Sequence, residues 1–182
     1  MSFDIENQFQ ILQKQLQNLQ DKQPNDQISI IVFSGDLDKV LASMIIATGA
    51  SAMGMEVKMF FTFWGTTMLR DKNKSAKGKD FMSKMFGSML PKGSTKLKLS
   101  KLNMGGMGTL MLKNLMKKKH VASLDELIQT AGELGVEINI CQMSMDLMGF
   151  KKEEMIDYPN LKVCGVATYL ADADESRIQL FI

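Results

Sequence analysis

The sequence predicts an α/β fold: a single domain with a mostly parallel sheet and helices on both faces. Three observations predict it. Ile28 to Phe33 is an unbroken apolar run, as in a central strand covered on both faces. It is followed by a turn, a long helical pattern and a second strand pattern, which together make a βαβ unit with a right-handed crossover. Further along, a helix start signal leads into an alternating strand, Val136 to Ile140, and the strand-helix rhythm resumes.

In chain order, Ile5, Phe9, Leu12, Leu16 and Leu19 are spaced 4, 3, 4, 3 within a glutamine-rich stretch that Pro24 ends. This is a heptad seam. Three heptads hold poorly as a free helix in water, so the segment (residues 1–24) either docks on its own domain or pairs chains in an oligomer. The α/β domain is then residues 25–182. Ser34-Gly35-Asp36 turns the chain after the first strand. Leu37 to Met53 reads as a helix, with Val40, Leu41, Met44 and Ile45 inward, small residues for a close approach to the sheet, and Gly54 as its cap. Glu56 to Phe63 is the second strand, closed by a turn through Gly65, Thr66 and Thr67 at the edge where such sheets bind ligands.

Residues 70–119 break the rhythm. They hold 14 of the 22 Lys/Arg and 2 of the 20 Asp/Glu, a charge of +12 against −10 for the rest, which a net +2 conceals. Phe81, Met82, Met85, Phe86, Met89 and Leu90 recur at helical spacing, as do Leu110, Met111, Leu115 and Met116. The segment reads as a basic, Met-rich insertion of two short amphipathic helices near the sheet edge. Ser123-Leu124-Asp125-Glu126 is a capping box, and the helix it starts ends at Gly135. After Gly149 come a polar helical turn, Lys151 to Ile156, and a short strand, Lys162 to Cys164. A helix, Val166 to Ser176, and a last strand, Ile178 to Ile182, complete the chain. Strand order beyond the first unit is not derivable from these patterns.

Composition narrows function. At 45% hydrophobic and 23% charged residues, 182 residues suffice for one cored domain. Two cysteines and no signal-peptide pattern point to a reducing, cytoplasmic setting. No apolar run is long enough to span a bilayer. Ser34 to Lys39 lacks the spaced glycines of a P-loop, and the glycines at 106 and 108 do not complete a dinucleotide fingerprint. Lysines predominate over aromatics in the basic segment, which argues against nucleic acid. Peripheral membrane contact and docking of an acidic protein stay open beside a plain solvated face.

The chemistry gathers at Cys141, between the end of the alternating strand and a short helical pattern. Outward backbone N–H groups there favour an anion and lower a thiol pKa. The bland alternative is a small buried apolar residue. Cys141-x-Met143-x-Met145 offers three soft sulfurs for Cu(I), although methionine runs are more often adaptable packing. Zinc lacks ligands, and His120, after three lysines, reads as a surface residue. No cofactor or metal is expected. Cys164 sits inside a strand pattern and reads as a core group. A peroxidase reading finds neither the proline-threonine pattern before Cys141 nor arginines beyond Arg70 and Arg177.

Several blocks carry a family resemblance: Ser34-Gly35-Asp36-Leu37-Asp38-Lys39; Lys84 to Gly93 with Phe86, Gly87 and Pro91; Leu99 to Met104; Cys141-Gln142-Met143-Ser144-Met145-Asp146-Leu147-Met148-Gly149; and Gly165 to Leu170. In this order they resemble the DsrE/DsrF-like family, in its longer subgroup often labelled peroxiredoxin-like, over Ile28 to Ile182. The resemblance implies a DsrE-like α/β protein, often a homo-oligomer, in sulfur relay. Cys141 would accept sulfane sulfur as a persulfide and pass it on, with rhodanese-like and TusA-like proteins as partners. Whether such a chain catalyses transfer or only carries sulfur is not separated by the resemblance. Ser34, Gly35, Asp36, Gly65 and Gln142 are the candidate pocket residues around Cys141, and Cys164 matches no functional position. The other class of reading is a non-enzymatic binding or membrane-peripheral module that works through the basic segment.

Overall fold

The computed structural model of the chain describes residues 2–20, 23–76, 78 and 81–182; within 2–20 it describes the side chains of 7–17. Helix α1 (Ser2–Gln20) precedes a five-stranded sheet with every pairing parallel. The strands are β1 (Asn25–Val32), β2 (Glu56–Phe61), β3 (Glu137–Cys141), β4 (Leu161–Cys164) and β5 (Ser176–Phe181), in the order β4-β3-β2-β1-β5. The chain steps outward from β1 to β4, then crosses back to place β5 on the other side of β1.

Alternation in the strands sets two unlike faces. Ile28, Ile30 and Val32 lie level with Val57, Met59 and Phe61, and Met59 and Phe61 with Ile138 and Ile140. All are buried. Helix α2 (Leu37–Ala52) covers this face with Val40, Leu41, Met44 and Ala47, and α5 (Leu124–Glu133) adds Leu127 and Ala131. Each of the larger side chains here contributes about 1.5–3 kcal/mol by leaving water, and the alanines less. The opposite face of β1 is polar where the sequence reading places apolar cover. Gln27 donates to the Asp172 carbonyl (2.7 Å) and to Ser176 (2.8 Å), and Ser29 pairs with Ser176 (2.7 Å). Helix α7 (Val166–Asp174) lies over this face. Its Tyr169 ring stands 5.4 Å from that of Phe60, and its Asp172 holds Lys58 at 2.8 Å.

The predicted elements are present with shifted ends. β2 stops at Phe61, and Phe63–Leu69 forms a 3-10 helix in place of a simple turn. The Ser123 capping box closes in both directions. The seam of α1 is not docked on its own domain: Phe9, Leu12 and Leu16 are exposed, while Ile5 and Leu19 lie outside the described side chains.

The basic segment forms α3 (Phe81–Met89) and α4 (Met107–Lys118) around an irregular stretch, at the sheet edge as predicted. It is fastened by backbone. The Leu37 amide donates to the Lys98 carbonyl (2.8 Å), the Gly93 amide to that of Thr67 (3.1 Å), and Ser100 donates twice to Asp38. Arg70 is buried. Its guanidinium donates to the carbonyls of Gly87, Leu90 and Pro91 and lies 4.4 Å over the Phe150 ring. Burial pulls its pKa down, and the Glu154 carboxylate opposes this. The helices themselves are barely packed: α3 has no buried residue and α4 only Thr109.

Candidate functional site

Cys141 is the last residue of β3 and the residue that caps α6 (Gln142–Met148). The strand fixes its height at the C-terminal edge of the sheet. Alternation puts it on the face opposite Ile140, the same side as Thr62, one residue beyond the Phe61–Ile140 rung. The first turn of α6 brings back Ser144, which is fully buried. Ser144 Oγ lies 2.9 Å from Thr62 Oγ1 and accepts the Phe63 amide at 2.9 Å. That amide is aimed by an unusual backbone: Phe63 has φ 44°, a conformation that costs a bulky residue about 1–3 kcal/mol and clusters at functional sites.

Burial pushes the Cys141 thiol up. The Ser144 hydroxyl and amide, the Thr62 hydroxyl and the Met143 amide more than offset it and hold the thiol below its ordinary value. The groups that lower it are neutral hydrogen-bond donors, not cations. The sulfur is less open than the sequence reading requires of a group at the rim: Cys141 is 4% exposed.

Of the predicted pocket residues, Ser34, Gly35 and Asp36 come together with Phe33, Trp64, Thr67 and Pro91 around a cleft of about 330 Å³. Ser34 donates to Asp36 (2.9 Å), which also meets Lys39 at 3.1 Å. Cys141 does not line this cleft, because β2 and its 3-10 helix stand between the ends of β1 and β3. Gly65 serves the backbone: a Cβ there would meet the Val32 carbonyl oxygen at 2.2 Å. Gln142 is exposed and bonds Asp146 one turn on (2.8 Å). The structure thus places Ser34, Gly35 and Asp36 in a cleft apart from the sulfur they were expected to surround, while Gly65 serves the backbone and the Gln142 side chain bonds along α6. A larger cavity, about 720 Å³ beside α4 and the start of α5, includes neither cysteine.

The three sulfurs of Cys141, Met143 and Met145 do not converge. Two steps along a helix are about 200°, so Met143 is exposed and Met145 lies in the core. Cys164 is likewise misread as a core residue. It is half-buried, ends the edge strand β4, and lies level with Cys141 in the β3–β4 ladder. Ser144 and Thr62 were missed. The signal for Ser144 was its place three residues after an N-cap, which returns to the same side of the helix.

A model of the DsrE/DsrF/DrsH-like family matches residues 24–181, leaving the whole of α1 outside. Uncharacterized protein YrkE of Bacillus subtilis (strain 168) is 48% identical over 154 residues, 85% of this chain and 95% of its own length. Sulfur carrier protein DsrE2 of Allochromatium vinosum is 37% identical over 158 residues, 85% of this chain and 97% of its own. Among solved structures, the ychN protein from E. coli superposes with a TM-score of 0.50 at 9% identity, over 86% of this chain and 98% of that one, a likeness of fold.

Proposed function

The chain belongs to the DsrE/DsrF/DrsH-like family, and from that premise we propose that it is a sulfur carrier whose Cys141 takes up sulfane sulfur as a persulfide and yields it to a partner thiol. The observation that carries the reading is the Ser144–Thr62 hydroxyl pair at the end of β3 beside Cys141, a thiol whose pKa neutral donors lower. A thiolate attacks the outer sulfur of a donor, and the same stabilised anion is a good leaving group when an acceptor removes the sulfur. Rhodanese-like and TusA-like proteins are the partners this role calls for. The +12 segment beside the site would draw in an acidic one. Exposed Phe9, Leu12 and Leu16 support pairing of chains through α1, which sedimentation velocity of the full chain measures. Among the described residues no helix is long and apolar enough to cross a membrane.

Intact mass after incubation with polysulfide tests the role. The wild type gains about 32 Da, one sulfur atom, and Cys141→Ser gains nothing. An unmodified wild type, or an equal gain in Cys141→Ser, overturns it.

One observation favours a second reading, a binding module. Phe81, Met82, Met89, Leu110 and Met111 are exposed among lysines. Such a surface suits an anionic lipid face. Co-sedimentation with anionic vesicles that survives Cys141→Ser and is lost in a Phe81→Ser/Met89→Ser/Met111→Ser variant would favour it.

A further inference from the structure

Resting on the carrier reading, we infer that Cys164 is a second sulfur station, to which the sulfane sulfur passes from Cys141 before it leaves the protein. The two cysteines form the last rung of the parallel β3–β4 ladder. Residues level in adjacent parallel strands point to the same side of the sheet, across a strand spacing of about 4.8 Å. A helix follows each cysteine, α6 directly after Cys141 and α7 after Gly165, and each cysteine has a hydroxyl from that helix beside it: Ser144 for Cys141, Thr168 for Cys164. The rung pairs a sulfur that is almost wholly enclosed with one that is half-buried at the sheet edge. Of the two, Cys164 is the more open to an acceptor thiol.

The spacing suits transfer. A strand spacing of about 4.8 Å also lies within the Cα range of a disulfide, about 4.4–6.8 Å, so a disulfide is the competing outcome. Transfer needs the two cysteine sulfurs on opposite sides of a third, about two S–S bond lengths apart, or roughly 4 Å. The step balances within the rung. Cys141 begins as the persulfide anion and Cys164 as the neutral thiol. The Cys164 proton moves to the outer sulfur, and the Cys164 sulfur bonds to it. The bond from Cys141 breaks, with its electron pair left on Cys141 as thiolate. One negative charge and three sulfurs stand on each side, and nothing is oxidised overall. The charge ends where Ser144 and Thr62 hold it. Cys164, whose thiol burial and the nearby Asp172 push up, is the better proton carrier.

Peptide mapping tests this. The full chain is loaded with polysulfide, alkylated and digested with trypsin, whose cuts at Lys151, Lys152 and Lys162 put the cysteines on separate peptides. The wild type is expected to carry the extra sulfur, about 32 Da, on both. Cys164→Ser keeps it on Cys141 and delivers it to an added small thiol at least about fivefold more slowly. Cys141→Ser leaves Cys164 bare. Sulfur on Cys141 alone, with delivery unchanged in both Cys164→Ser and Cys164→Ala, overturns the second station and leaves the carrier reading standing. Equal labelling of Cys164 in Cys141→Ser overturns the internal transfer. A loss of about 2 Da in place of the gain replaces it with a disulfide. No sulfur on either peptide overturns the carrier reading and this inference together.

Discussion

Methionine is used in two opposite ways in this molecule. Around the sheet, Met44, Met59, Met68, Met145, Met148 and Met155 are buried, filling gaps between strands and helices. In the basic segment, Met82, Met89, Met104, Met107 and Met111 are exposed. The residue type is the same in both. What differs is what surrounds them. The first group belongs to elements that pack on a sheet. The second lies on α3 and α4, with Met104 just before α4, and this segment is tied to the domain through backbone bonds and Arg70, with Met116 packing on the core. Chemistry is therefore assigned to the packed part, where geometry is held, and recruitment to the unpacked part, where an adaptable face is free.

The sharpest way to break this contrast is at its joint. Arg70→Ala removes a buried cation from three carbonyls and from Glu154, and should cost about 3–5 kcal/mol in urea unfolding. Residues 71–119 should be cut faster by trypsin. Unchanged cutting would show that the segment is held by something other than Arg70. Next, Met59→Ala in the sheet should cost about 2–5 kcal/mol. Third, Ser144→Ala should cost about 1–3 kcal/mol, since the Phe63 amide loses its acceptor. It should also move the alkylation midpoint of Cys141. The folded thiol lies below its ordinary value, so its thiolate forms at a lower pH than that of a free cysteine. Stability from that depression is present above the unfolded pKa and is lost as pH falls through the folded one. Removing the hydroxyl should raise the midpoint, read from the pH dependence of iodoacetamide labelling. Last, Met111→Ala, matched to Met59→Ala, should change stability by no more than about 0.5 kcal/mol. A cost near that of Met59→Ala would erase the distinction between the two regions.

The alternating and continuous strands, the Ser123 capping box and the Cys141 junction were legible because each is a local pattern. Val136 to Ile140 alternates whatever lies beside it, and a strand followed by a helix places Cys141 at a sheet edge. The pocket was not legible. Ser34 and Cys141 both follow strands, and one shared edge seemed to join them. With β2 between β1 and β3, they stand two strands apart. Thr62 and Ser144 meet from 82 residues apart, which no spacing rule reaches. Cys164 read as core because a strand pattern does not say which strand is the edge.

By itself the sequence determined the α/β class, the elements and their approximate ends, the charge split and the strand-end position of one thiol. All of these follow from propensity and periodicity over a few residues. Only the tertiary structure decided that the strands run in the order β4-β3-β2-β1-β5, that Ser144 and Thr62 meet beside Cys141, that Cys164 lies level with it, and that Phe9, Leu12 and Leu16 of α1 and most apolar residues of α3 and α4 are exposed. These depend on contacts between residues far apart in the chain, where side-chain volume and hydrogen-bond geometry choose among arrangements that local pattern treats alike.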